Sequence, residues 1–147
     1  MGKYQDFFGE IEEKFGMSKR MPEQYSALGL AYIGDGVYDL IIRTIVVDLG
    51  NKRVNLFHQM TTGIVKAESQ AKLMREIMED LTPEEETVFR HGRNAKSSSS
   101  AKNASITDYR IATGFEALVG YLYLKHNMAR ILELVKIGLE KSGQMPE

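Results

Sequence analysis

The chain has 147 residues, 19 of them basic and 20 acidic, with a formal net charge of −1, 43% hydrophobic side chains and 27% charged ones. That is the length of one domain with a sizeable core, and its neutral balance gives no global attraction to a polyanion. The absence of cysteine excludes disulfides, thiolate-bound zinc and iron–sulfur centres.

The N-terminus, Met-Gly-Lys-Tyr-Gln-Asp-Phe-Phe, has no basic segment followed by an apolar one, so no secretory signal is expected and a cytoplasmic location fits. Residues 4–15 read as a short amphipathic helix with Phe7, Phe8, Ile11 and Phe15 on one side. Pro22 is a good first-turn residue for a long apolar helix that should end near Gly50. The run from Ala27 to Val47 is almost long enough to span a bilayer, but Asp35, Asp39 and Arg43 would be costly there, so a core helix is expected instead.

Residues 54–79 read as a short helix and a longer one, parted near Thr61-Thr62-Gly63, the second burying Ile64, Ala67, Ala71, Met74 and Met78. Thr82-Pro83-Glu84-Glu85 is the sharpest local signal, a capping box with proline at the first helical position. Its helix should fade around His91-Gly92, before the low-complexity Ser97–Ser100 loop. Thr107 or Ser105 can cap the next helix, and Asn127 caps a last one from Met128 to Lys141, ended by Gly143. With only three prolines and no alternating strand pattern, the expected fold is an all-α helical bundle, one domain over 1–147 with its core at about 20–142.

Two apolar runs each carry one acid among glycines. Asp35 lies between Gly34 and Gly36; Glu116 lies between Gly114 and Gly120. An acid in such a run is costly unless paired, protonated or bound to metal. On a helix Asp35 shares a face with Ala31, Tyr32, Tyr38, Asp39 and Ile42, and Glu116 with Ala112, Thr113, Val119, Gly120 and Tyr123. If these faces pack, the two carboxylates can hold one hard cation, and magnesium suits an oxygen-only set with few protein ligands. The plainer reading is two acids satisfied by arginine, tyrosine or a helix end, with the glycines serving only to let helices cross closely. His58, His91 and His126 have no metal-ligand spacing, and the serine run with His91 makes no credible triad. From Thr87 to Thr107 there is no acid, whereas Arg90, Arg93, Lys96 and Lys102 are all present; this segment is either a nucleic-acid contact or a solvated loop.

Ala31-Tyr-Ile-Gly-Asp-Gly-Val-Tyr38 resembles the signature of the ribonuclease III catalytic domain, Phe-Leu-Gly-Asp-Ser-Val, and Phe115-Glu-Ala-Leu-Val-Gly-Tyr-Leu-Tyr-Leu124 resembles its second motif. The likeness runs from about Tyr25 to Asn127 and takes in Ile64-Val-Lys-Ala-Glu-Ser-Gln-Ala71 and Arg90-His-Gly-Arg-Asn-Ala-Lys96. Ala31 and Thr113 stand where the larger enzymes carry further acids, and no double-stranded-RNA-binding domain is expected, features similar to the compact Mini-ribonuclease III branch. The resemblance implies a homodimeric, magnesium-dependent endoribonuclease that cleaves double-stranded RNA, leaving 5′-phosphate and 3′-hydroxyl ends. Its implied substrate is the terminal stem of the 23S ribosomal RNA precursor in the pre-50S particle. Asp35 and Glu116 are then the catalytic and metal-binding pair. Arg93, Asn94, Lys96, Lys102 and Asn103 are the candidate RNA contacts, followed by Arg90, His58 and Lys66. A non-catalytic scaffold of the same fold in ribosome assembly is the alternative, and a helical protein-binding adaptor is a further one.

Overall fold

In a computed structural model, residues 6–95 and 105–147 are described. Among them seven α-helices and no strand are found: α1 (Phe7–Phe15), α2 (Ala27–Asp48), α3 (Val54–Val65), α4 (Ala67–Ile77), α5 (Pro83–Asn94), α6 (Ile106–Leu124) and α7 (Met128–Lys141). The all-α expectation holds. No described helix is long and apolar enough to cross a membrane.

Most boundaries follow from local chemistry. The Thr82 Oγ1 accepts from the Glu85 amide while the Glu85 carboxylate accepts from the Thr82 amide, closing the box that starts α5. Of the two candidate caps for α6 it is Ser105 that serves, accepting from the Asp108 amide at 3.0 Å. Asn127 caps α7, and Gly143 follows it with φ +71°, a left-handed conformation suited to glycine.

Four boundaries differ from the reading above. Pro22 opens a separate 3₁₀ turn, Pro22–Gln24, and α2 starts after Ser26, whose hydroxyl accepts from the Gly29 amide. α1 begins at Phe7, capped by Asp6, and buries Phe8 against Tyr123 and His126 while Phe7 and Phe15 stay exposed. α5 runs on to Asn94, because Gly92 is a contact and not a stop: a Cβ there would meet Ala117 Cβ at 2.7 Å. The break expected at 61–63 falls at Lys66, in extended geometry with φ −65° and ψ 155°. There the Ser69 hydroxyl donates to the Gly63 carbonyl at 2.6 Å and the Gln70 amide donates to the Val65 carbonyl at 2.8 Å, so side chains of α4 satisfy carbonyls that the end of α3 leaves open. The buried stripe of α4 shifts accordingly to Ser69, Gln70, Ala71, Leu73, Met74 and Ile77, with Ala67 and Met78 only partly covered.

α6 lies at the centre, buried along Ala112–Phe115 and again along Ala117–Tyr123, with α2, α4, α5 and α7 packed around it. Its tightest neighbour is α2. A Cβ on Gly34 would stand 1.8 Å from the Glu116 carbonyl oxygen, and one on Gly120 would stand 1.9 Å from the Leu30 carbonyl oxygen. Two glycines, one per helix, bring the backbones into contact. Gly36 does something different, having nothing within 4 Å of its Cβ position.

Candidate active site

The α2–α6 crossing decides where the two acids of the apolar runs fall. Gly34 packs against the backbone of Glu116, so Asp35, the next residue on α2, is carried to the edge of the crossing. Its carboxylate comes near enough to that of Glu116 to act on the latter's protonation. Burial first, and then the Asp35 carboxylate, raise the Glu116 carboxyl from 4.5 to about 8; the Gln70 amide acts in the opposite direction. The two acids therefore do meet across adjacent helices of one chain.

They are not equivalent. Glu116 is partly buried on the central helix, whereas Asp35 is exposed. The expectation that both acids are buried holds in part for Glu116 and is corrected for Asp35. Its expected face is split: Ala31, Tyr38 and Ile42 turn inward, while Tyr32 is 84% exposed. The Tyr38 hydroxyl is buried, with no hydrogen-bond partner among the described residues, and is not at a wet rim; burial pushes its ionisation well above the ordinary tyrosine range. Asp39 is paired with Arg43, whose Nε donates to Oδ2 at 2.6 Å.

Thr113 and Ala31 are both buried. The Thr113 hydroxyl donates to the Tyr109 carbonyl of its own helix at 2.9 Å. Among the described residues no group of three or more histidine, aspartate or glutamate side chains is arranged to hold a metal. Among the described residues the carboxylates at the crossing that could serve as oxygen donors are those of Asp35 and Glu116. Two neighbouring carboxylates, one of them raised in pKa by burial and then by the other, make an arrangement that a divalent cation would relieve, and a pair of ligands would suit a cation that keeps waters and takes phosphate oxygens.

One residue at this site carried no chemistry in the sequence reading. Gln70 of α4 is 1% exposed, and its amide donates both to Val65 and, at 3.4 Å, to Glu116 Oε2. The signal that could have found it is its place at i−4 from Met74 and i−7 from Ile77: a polar side chain within a buried apolar stripe.

Of the candidate RNA contacts, Arg93 and Asn94 end α5. Arg93 lies over the Phe89 ring, 5.7 Å from its centroid, and its Nε donates to Asn94 Oδ1. Lys96, Lys102 and Asn103 lie outside the described residues. Arg90, His58 and Lys66 are exposed. Three of the acids flanking this basic stretch are paired: Glu84 with Lys125 at 3.0 Å, Glu85 with Arg130 at 2.9 Å and Asp108 with Arg75 at 2.6 Å.

Comparison with known proteins gives a consistent result. Residues 28–127 match the Ribonuclease III domain family. The chain is 46% identical over 127 residues to a Mini-ribonuclease 3 of Enterococcus faecalis, covering 85% of this chain and 96% of that one. It is also 46% identical to a Mini-ribonuclease 3 of Clostridium tetani, over 98% of this chain and 93% of that one. A crystal structure of a Fusobacterium nucleatum protein superimposes with a TM-score of 0.75 at 24% identity, over 84% of this chain and 98% of that one, a likeness of fold.

Proposed function

Because this chain belongs to the ribonuclease III family, among its Mini-ribonuclease 3 members, we propose that the Asp35–Glu116 pair is the catalytic centre of an endoribonuclease acting on double-stranded RNA. The observation that carries this reading is the meeting of the two carboxylates across the α2–α6 crossing, strong enough to help raise Glu116 to about 8.

Asp35 and Glu116 are the residues that would hold magnesium. When bound, magnesium supplies Lewis-acid stabilisation of phosphoryl oxygens and a water activated for attack at phosphorus. The chain's own residues provide the rest. Glu116 is fixed on the most enclosed helix; Asp35 faces solvent, where a phosphodiester can approach. Cleavage of the bond from phosphorus to the 3′-oxygen leaves a 5′-phosphate and a 3′-hydroxyl. Arg93 and Asn94, with Lys96, Lys102 and Asn103, grip the backbone, and such a grip reads A-form shape more than sequence.

Two finer statements complete the reading. The active form is a homodimer, since cutting both strands of a duplex calls for two sites related by a two-fold axis. Leu28, Tyr32, Leu40 and Val47 support this, as large apolar side chains exposed along α2 of the single chain. The natural substrate is the terminal stem of the 23S ribosomal RNA precursor within the pre-50S particle, an inference supported by the resemblance to the compact branch.

The deciding experiment is cleavage of a long RNA duplex, and of the isolated precursor stem, with and without magnesium, by the wild-type protein and Asp35→Asn. The variant should keep its fold and its RNA affinity while losing at least about 100-fold in rate, because an amide is a poor ligand for a hard cation. Wild-type activity in Asp35→Asn would place the chemistry elsewhere.

A further inference from the structure

The carboxylate of Glu116 has a second neighbour besides Asp35, and it comes from a third helix. Gln70 projects from the first turns of α4, is 1% exposed, and splits its amide protons between two acceptors on different elements. One goes to the Val65 carbonyl at 2.8 Å, the other to Glu116 Oε2 at 3.4 Å, and both acceptors require the nitrogen to point the same way. The orientation of the amide is therefore set by the α3–α4 junction, independently of Glu116. Among the described residues its buried Oε1 has no hydrogen-bond partner. A buried amide oxygen left unpaired is costly, so packing alone does not account for an amide among Ala71, Leu73, Met74 and Ile77.

We propose that Gln70 is the positioning residue for the Glu116 carboxylate, anchored by Val65 and holding Oε2 so that the other carboxylate oxygen turns toward Asp35 and a shared divalent cation. This rests on the nuclease reading above and deepens it. The groups around a metal ligand fix its orientation, and their loss typically reduces metal affinity or activity about 10–100-fold.

The test uses the full chain carrying Gln70→Met, which keeps length and volume without the amide, and Gln70→Asn, which keeps the amide but falls one methylene short. Wild type, Asp35→Asn and Glu116→Gln are run beside them. Three quantities are read: manganese binding to the RNA-free protein by electron paramagnetic resonance, the magnesium concentration giving half-maximal cleavage, and KM for a long duplex. Both Gln70 variants should bind manganese about 10-fold more weakly and need about 10-fold more magnesium. KM should stay within about 2-fold, and excess magnesium should restore most of kcat, as it will not in Glu116→Gln.

Manganese affinity and magnesium dependence equal to wild type in Gln70→Met would overturn the proposal, as would a loss of rate that no magnesium concentration repairs. So would the absence of a cooperative melt in both variants, which would make the residue structural. If Asp35→Asn is inactive while Gln70→Met behaves as wild type, the Gln70 assignment alone falls. If wild type neither binds manganese nor cleaves a duplex, the underlying nuclease reading falls with it.

Discussion

The carbonyl oxygen of Glu116 occupies the space that a side chain on Gly34 would need, 1.8 Å from the position of its Cβ. The atom in the way is backbone on a central helix, so no rotamer change relieves it. Gly34→Ala should push α2 off α6, lower stability by at least about 3 kcal/mol and separate the two carboxylates. Gly63→Ala is the control. That glycine is helical with nothing within 4 Å of its Cβ position, and alanine there should stabilise by about 0.5–1 kcal/mol. Thermal melts of the two variants moving in the same direction would contradict this account.

The raised carboxyl of Glu116 makes stability depend on pH in a definite direction. In the unfolded chain it titrates near 4.5 and in the native one near 8, burial being the first cause and Asp35 the second. Below pH 4.5 both states hold the proton and nothing is lost. As pH rises through this window the unfolded chain releases its proton first, so the native state loses stability until about pH 8. In chelator, Glu116→Gln should therefore melt several degrees above wild type at about pH 8 and together with it at about pH 4.5. Added magnesium at the higher pH should stabilise wild type and not the variant. Calorimetry showing the same gap at both pH values would refute the assignment.

Arg130 and Glu85 make a partly enclosed ion pair. The Arg130 Nε and Nη2 grip both Glu85 oxygens at 2.9 Å, and Nη2 also donates to the Asp80 carbonyl at 2.7 Å. Burial acts to raise the Glu85 carboxyl, but bonding to Arg130 and to Thr82 outweighs it and holds the carboxyl below its ordinary value. Removing Arg130 leaves a buried carboxylate uncompensated and should cost about 3 kcal/mol, or roughly 6–12 °C in melting temperature. That contribution is present above the unfolded carboxyl pKa of 4.5 and fades as pH falls through the lower native value. A melt of Arg130→Met at neutral pH that matches wild type would show the pair to be dispensable.

The exposed apolar side chains of α2 give the proposed dimer its test. Tyr32 is 84%, Leu40 54% and Val47 59% exposed in the single chain. Tyr32→Asp and Leu40→Glu should each sediment as monomers at micromolar concentration, keep their helical spectrum and lose duplex cleavage. A monomeric variant that still cuts both strands would remove the need for two-fold symmetry.

What the sequence makes legible is local. The Thr82–Glu85 box, the Asn127 cap and the serine before α6 each bond across three residues, so their signal sits within one short window. The break at Lys66 has no such signal: neither proline nor glycine marks it, and it is sustained by Ser69 and Gln70 from the following helix. The acid pair could be read as two similar settings, but nothing in the pattern showed that α2 would turn Asp35 outward. That follows from which glycine meets α6, and Gly34 and Gly36 look alike in sequence. Gln70 was hidden for a related reason, its acceptor on Glu116 lying 46 residues away.

α6 is covered by neighbours along almost its whole second half, Ala117–Tyr123 being buried without interruption. Amide hydrogens in such a helix have no shallow opening through which to exchange, and they report on unfolding of the whole domain. The slowest deuterium uptake should fall on residues 112–123, while α1, with Phe7 and Phe15 facing solvent, should take up label early. On that expectation Glu116 sits on the last of the described helices to open, so that wherever the domain is folded its backbone position is already in register.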